Sequence, residues 1–271
     1  YIKNNRFGWF SYLVYFDVNG IDHGIDYCSV WLVLHSLTKN RRAVKMSFIT
    51  VIIFFVIMWG LGHGLIRFVT PPPNPFEREL LRLGVGIGAF SILAVILNLL
   101  HIPLYWLIFL ILSLLSPSSV ILRFFKKQLG KPKIGLTTEN IVLFLVVFLA
   151  LVHLIIFLKG AFSYPYLENG DPWDHSRSIR YIASQKTAFE PFTTGEVFKF
   201  MDAYPPTFDI LMAIMYQISD NLIWTLKFFN SLLISLTFIF FFMFCKKMTR
   251  DPTKAFLSTI ILVFVPSYMS N

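Results

Sequence analysis

Cysteine is almost missing from this sequence: there are 2 in 271 residues. Cys28 and Cys245 fall in unrelated regions, the second inside an apolar run, so neither a disulfide framework nor a cysteine metal site is indicated. Charge is scarce too, with 14% of residues charged against 56% hydrophobic and a mean hydropathy of +0.65. A soluble globular domain is nearer a quarter charged, which excludes that class. The sequence holds no phosphate-binding loop, no GxSxG and no HExxH. Its first residues, YIKNNRFGWF, lack the continuous apolar core of a cleavable signal peptide. Starting at Tyr1 and stopping at Asn271 directly after an apolar run, it reads as a stretch of a longer chain.

Two near-motifs can be set aside. Asp17-Val18-Asn19-Gly20-Ile21-Asp22 suggests a calcium loop, but the glycine such a loop requires would fall where Asp22 stands, and no glutamate closes it. Gly84-Val85-Gly86-Ile87-Gly88 lies in an apolar segment, where small residues allow close helix packing; it is not a dinucleotide fingerprint. The net charge of +9 does not indicate nucleic acid, because no basic stretch interleaved with aromatics appears.

What is abundant is apolar length. Thirty phenylalanines reinforce it, and the class that fits is an all-α, polytopic transmembrane helical bundle. The apolar segments are 47–69, 83–100, 104–122, 141–158 and 228–245, with a sixth from Ala255 running to the end. The second and third are separated by His101-Ile102-Pro103, where proline removes a backbone donor and favours a turn. The expected organisation is an N-terminal extension (1–46), N-terminal transmembrane segments (47–122), a basic cytoplasmic loop (123–138) and a module over 139–271 containing an outer loop, 159–227.

Orientation follows from the basic loops. Arg123, Lys126, Lys127, Lys131 and Lys133 precede the fourth segment, and Lys246, Lys247, Arg250 and Lys254 follow the fifth. By the positive-inside rule both are cytoplasmic, so 159–227 faces the extracytoplasmic side of a plasma-membrane protein. Lys39, Arg41, Arg42 and Lys45 form another basic loop three segments upstream, and an odd number cannot place both inside. Either the pair around Pro103 contains a re-entrant segment or the first basic loop lies outside. Within the outer loop, Tyr204-Pro205-Pro206 leads into 207–219, where Phe208, Ile210, Leu211, Ile214 and Met215 share a helical face. Thirteen residues fall short of the roughly 20 needed to span, so an amphipathic helix lying in the membrane interface is expected.

The outer loop also carries the densest charge, ENGDPWDHSRSIR, from Glu168 to Arg180. Ionisable groups at a bilayer edge are costly and usually functional. Asp171 followed by Pro172 is a good helix start, with Asp171 as N-cap and Asp174 in the first turn. Such capping by itself accounts for both aspartates. Arg177 and Arg180, three apart, also read as interfacial anchors or as partners of Asp174. His175 reads equally as a hydrogen-bonding spacer, and Glu168, like Glu190 and Glu196, as a solvated loop acid. His153, alone in the fourth segment, reads as a satisfied core residue.

Asp171-Pro172-Trp173 with His175 and Arg177 resembles the D-P-aromatic-x-H-x-R stretch after the first transmembrane helix of archaeal oligosaccharyltransferase catalytic subunits. More broadly it resembles the acidic first-loop motif of the GT-C superfamily, whose members transfer sugars from polyprenyl-phosphate carriers outside the cytosol. A Pro-Pro-led helix in the first outer loop is similar to theirs as well. Three segments ahead of the first such span are unlike oligosaccharyltransferases, and Asp174 stands where those enzymes often carry an aromatic residue.

The resemblance implies an integral-membrane glycosyltransferase using a polyprenyl-phosphate-linked sugar donor and a glycan, lipid or protein acceptor. Asp171 and Asp174 would then be catalytic or would hold a divalent cation, Mg or Mn. Glu168, His175, Arg177 and Arg180 would contact substrate. A carboxylate can take the acceptor's proton, and arginine offers the departing phosphate a fixed fork of donors. Two other functions fit less well: the catalytic subunit of a protein oligosaccharyltransferase, and a lipid-linked glycan transporter without catalysis. A transporter tends to place its ionisable groups near the midplane in broken helices, and here the acids gather in an outer loop.

Overall fold

In a computed structural model the described residues are 27–68, 72, 74–115, 137–168, 170–189 and 206–265, with side chains from 46 onward. The calcium-like stretch at Asp17, the basic loop 123–133, and Glu190 and Glu196 lie outside them. The chain divides into two compact units, Tyr1–Arg41 and Arg42–Asn271. In the first, the described residues form the N-terminal part of a helix. The second holds the bundle.

Eight α-helices are described: α1 (Tyr27–Leu65), α2 (Pro75–Leu99), α3 (Trp106–Leu115), α4 (Thr138–Ala161), α5 (Gly170–Gln185), α6 (Thr207–Ser219), α7 (Leu222–Thr249) and α8 (Pro252–Val263). Four stretches are long and apolar enough to cross a bilayer: Met46–Phe68, Pro75–Leu99, Thr138–Ala161 and Leu222–Thr249. The protein is an all-α helical membrane bundle. On α4 the large apolar side chains of Phe144, Phe148, Leu151 and Ile155 stand exposed in helical spacing, a surface that suits lipid and not water.

Local chemistry sets the helix ends. Asn74 caps α2, its side chain accepting from the Phe76 amide at 3.0 Å, with Pro75 at the first helical position. Asn221 caps α7 through the Trp224 amide at 3.0 Å, and Asp251 caps α8 through that of Thr253 at 2.8 Å. The second span thus begins at Pro75, eight residues ahead of the apolar run, because a capping asparagine and proline start the helix before its apolar part does. The turn expected at Pro103 is present, with α2 ending at Leu99 and α3 opening at Trp106. Of the third apolar segment only 104–115 lies among the described residues, ten of them helical.

Side-chain ties fix the helix directions. At one end Lys246 of α7 bridges Glu77 of α2 at 2.5 Å and also pairs with Glu139 of α4, beside an Asn74–Asn140 hydrogen bond. At the other end Lys227 of α7 donates to the carbonyls of Ala161 (2.6 Å) and Tyr164 (2.5 Å), at the finish of α4. Hence α2 and α4 run the same way and α7 runs against both. Glycines let α1 cross α2 closely. A Cβ on Gly62 would lie 1.7 Å from the Arg82 carbonyl oxygen, and one on Gly86 1.7 Å from that of Met58. These contacts make α1 antiparallel to α2, so Met46 stands at the Lys227 end. Arg42 and Lys45, just before it, therefore belong to the end opposite Lys246. The basic stretch 39–45, expected as a loop, is instead part of the helix α1, and the packing favours Arg42 and Lys45 on the far side.

The expectation for 207–219 is half right. The helix forms with those bounds, but it is not covered on one face only: nine of its 13 residues are buried and none is exposed. It packs against α2, α3, α5 and α7. An apolar stripe shows that one face must be covered; it cannot show that the opposite face, which includes Asp209, is covered as well.

Candidate functional site

The charged cluster sits on α5, at the Lys227 end of the bundle. Ser176, Ile179, Ile182 and Ala183 are buried, and with this face α5 packs on α6. The polar residues are left pointing away from that contact or at its edge. Trp173 fixes the entry to the helix, its indole N–H reaching the Leu167 carbonyl at 3.1 Å. Tyr181 does the same at the exit through the Phe189 carbonyl, at 3.0 Å.

Asp171 is not the cap that its Asp-Pro context suggests. The helix starts one residue earlier, at Gly170, so Asp171 belongs to its first turn, where the helix dipole favours an anion. Its side chain is 79% exposed. The carboxylate is therefore open to a substrate and, among the described residues, takes no backbone amide.

One turn on, His175 connects this open acid to a buried one. Its Nδ1 lies 2.8 Å from Oδ1 of Asp209, and its Nε2 faces Oδ2 of Asp171 at 3.9 Å. Because a carboxylate only accepts, Nδ1 carries the hydrogen in this pair. The imidazole side chain is 22% exposed and that of Asp209 only 7%. The ring of Phe208 meets the imidazole edge-on at a centroid separation of 5.4 Å. A buried carboxylate thus orients an imidazole whose other nitrogen is turned to the exposed carboxylate. Sequence reasoning missed Asp209. The signal was there: a lone acid between Phe208 and Ile210, in a helix otherwise apolar from Ile210 to Met215.

The remaining candidates separate. Asp174 pairs with Arg177 at 3.4 Å, both well exposed, a surface pair of little energetic weight. Glu168 is exposed just before the helix. Arg180 is about two and a half turns beyond Asp171, about 14 Å along the axis, and lines a cavity with residues of α3 and α6. Asp171, His175 and Asp209 are therefore brought together, while Arg177 is turned to Asp174 and Arg180 is set apart.

A divalent cation would need more than Asp171 and Asp174. Among the described residues no group of three or more histidine, cysteine or acidic side chains is placed to hold a metal ion, and Asp174 is turned to Arg177. His153 is satisfied, its Nδ1 lying 2.8 Å from the Leu149 carbonyl and its ring packing on Phe238.

Two polar residues, Asn98 buried and Gln217 half-buried, support the end of the bundle beneath the cluster. Asn98, near the finish of α2, accepts through Oδ1 from the Thr187 hydroxyl and the Ala188 amide, both at 3.0 Å. Gln217 of α6 donates to the Leu104 carbonyl at 2.8 Å and accepts from the Trp106 amide at 3.2 Å. Together they seat the exit of α5 and the start of α3 on the membrane helices.

The chain matches no protein-family model, no curated protein and no solved structure.

Proposed function

We propose that this chain contributes the acceptor-activating part of an integral-membrane glycosyltransferase that moves a sugar from a polyprenyl-phosphate-linked donor to an acceptor on the extracytoplasmic side. The observation that carries the reading is the series of an open carboxylate, an imidazole and a buried carboxylate at a membrane edge: Asp171, His175 and Asp209. Ionisable groups in such a place mark a functional site. The basic residues at the other end of α7 and in the loop before α4 support an outward orientation.

In this reading an acceptor hydroxyl attacks the anomeric carbon of the lipid-linked sugar. A new C–O bond forms to the acceptor, the bond from the anomeric carbon to the phosphate oxygen breaks, and the lipid phosphate leaves with that electron pair. The acceptor's proton passes to the Asp171 carboxylate, which is exposed enough to meet it. His175, held at Nδ1 by Asp209, keeps Asp171 turned to the reaction side and, when protonated, stabilises its charge. Arg177 supplies charge-assisted donors to the departing phosphate.

The test uses the full-length protein in membrane vesicles supplied with a radiolabelled polyprenyl-phosphate sugar. Asp171 is exposed and takes no backbone hydrogen bond among the described residues, so Asp171→Asn removes its charge without disturbing the fold. Transfer is expected to fall by about 10²–10⁴-fold, the usual contribution of a general base, and Arg177→Lys to act more mildly by losing only the fork. Transfer at the parental rate by Asp171→Asn would remove Asp171 from the chemistry.

A further inference from the structure

A cavity of about 570 Å³ opens between α3, α5 and α6, lined among others by Tyr105, Arg180, Lys186, Tyr216, Gln217 and Asp220. That volume is in the range of small-molecule sites. Its lining is unusual for a chance crevice between membrane helices: two cations, one carboxylate and two phenols in a chain that is 14% charged.

Two of these charges occupy strained backbone. Lys186, just past α5, has φ 61°, and Asp220, just past α6, has φ 54°. Both close a helix in the left-handed region, where glycine or asparagine is the easy choice. Arg250 closes α7 in the same conformation at φ 57°, so the backbone alone marks helix ends, and the side chains gathered there carry the argument. The site is also built: the Leu104 amide donates to the Lys186 carbonyl at 2.8 Å, and the Lys186 ammonium rests over the Tyr105 ring at 4.5 Å while donating to the Ala183 carbonyl. Burial lowers the pKa of Lys186 from the ordinary lysine value. The Arg180 guanidinium, the Asp220 carboxylate and the Tyr216 hydroxyl make no hydrogen bond or ion pair among the described residues, which leaves their capacity for a ligand.

We propose that this cavity is a second binding site, separate from the Asp171 cluster, that takes a phosphate ester bearing hydroxyl groups at the membrane edge. Arg180 and Lys186 hold the phosphate from two sides through charge-assisted donors. Asp220 accepts from ligand hydroxyls, a role a purely anionic ligand would not require, and the Tyr105 and Tyr216 rings wall the sugar or polyol part. Arg180 lies too far along α5 for this phosphate to be the one leaving a sugar beside Asp171, so the site stands independently of the transfer reading.

Such an ester has two sources, a phospholipid headgroup or a soluble sugar phosphate. The purified chain in phosphatidylcholine nanodiscs is therefore tested with two probes: phosphatidylglycerol mixed into the bilayer, and glucose 1-phosphate in the buffer. At least one should raise the melting midpoint, and the probe that does so names the source. Arg180→Gln, at an exposed helix position, and Lys186→Gln should each weaken that probe about 10- to 100-fold, as loss of a charged hydrogen bond does, and Arg180→Gln should melt as the parent does in phosphatidylcholine alone. If neither probe shifts the midpoint, or if both variants keep the parental affinity, the site does not exist.

Discussion

Replacing Asp209 by alanine removes the buried end of the carboxylate–imidazole pair and leaves Nδ1 of His175 without that acceptor. A hydrogen bond to a charged group contributes about 1.5–3 kcal/mol. The imidazole is 22% exposed, so water recovers part of the loss. Alanine is also the better helix former, by roughly 0.5 kcal/mol or more. The net cost is then about 1–2.5 kcal/mol, or about 2–10 °C in melting midpoint if each kcal/mol moves it by about 2–4 °C. Asp209→Asn retains an oxygen where the 2.8 Å bond is made, and should cost less than about 1 kcal/mol. The two variants separate support from chemistry. Both lack the charge that steadies a protonated His175, so both should slow sugar transfer by about tenfold or more, although alanine lowers the midpoint further. Melting of the purified protein in detergent and transfer in proteoliposomes read the two effects. If alanine changes neither, the pair carries no weight and the orienting role assigned to Asp209 is wrong.

Two further outcomes are expected. Gly86→Ala should destabilise the bundle by about 1–3 kcal/mol, because its Cβ would fall 1.7 Å from the Met58 carbonyl oxygen, whereas Gly88→Ala, with nothing within 4 Å, should be neutral or stabilising by up to about 1 kcal/mol; equal melting of the two variants would refute the close α1–α2 crossing. With Cys28 and Cys245 replaced, a single cysteine at Glu168 should react with a membrane-impermeant thiol reagent added to intact cells, and labelling only after lysis would reverse the orientation.

The membrane bundle was legible because it rests on composition and run length, which need no tertiary information. The ends of α2 and α7 were less so, since Asn74 and Asn221 start their helices ahead of the apolar runs. The α6 helix shows the limit well. Its apolar stripe and its bounds could be read, but its burial on every side depends on α2, α3 and α5 arriving from elsewhere in the chain. Asp209 was missed for the same reason: it is one acid in an apolar helix until the fold brings it 2.8 Å from His175, 34 residues away. Asp171 erred in the other direction. Asp-Pro is a strong local signal for a cap, yet the helix starts at Gly170 and leaves the carboxylate exposed beside His175. The cavity had no sequence signal, because Tyr105, Arg180, Lys186 and Asp220 come from separate elements and form no motif.

The reading that Asp171 faces the reacting sugar is tested most directly by locating a donor. The full-length protein in nanodiscs would be loaded with a polyprenyl-phosphonate sugar, whose carbon link cannot be cleaved, and imaged by electron cryomicroscopy. The anomeric carbon is expected where a single acceptor oxygen fits between it and the Asp171 carboxylate, about 3–3.5 Å from the carbon and about 2.6–3.2 Å from the carboxylate, with the phosphonate in hydrogen-bond reach of Arg177. A donor seated at the Lys246 end, or one whose sugar lies beyond the reach of an acceptor bound at Asp171, would contradict it.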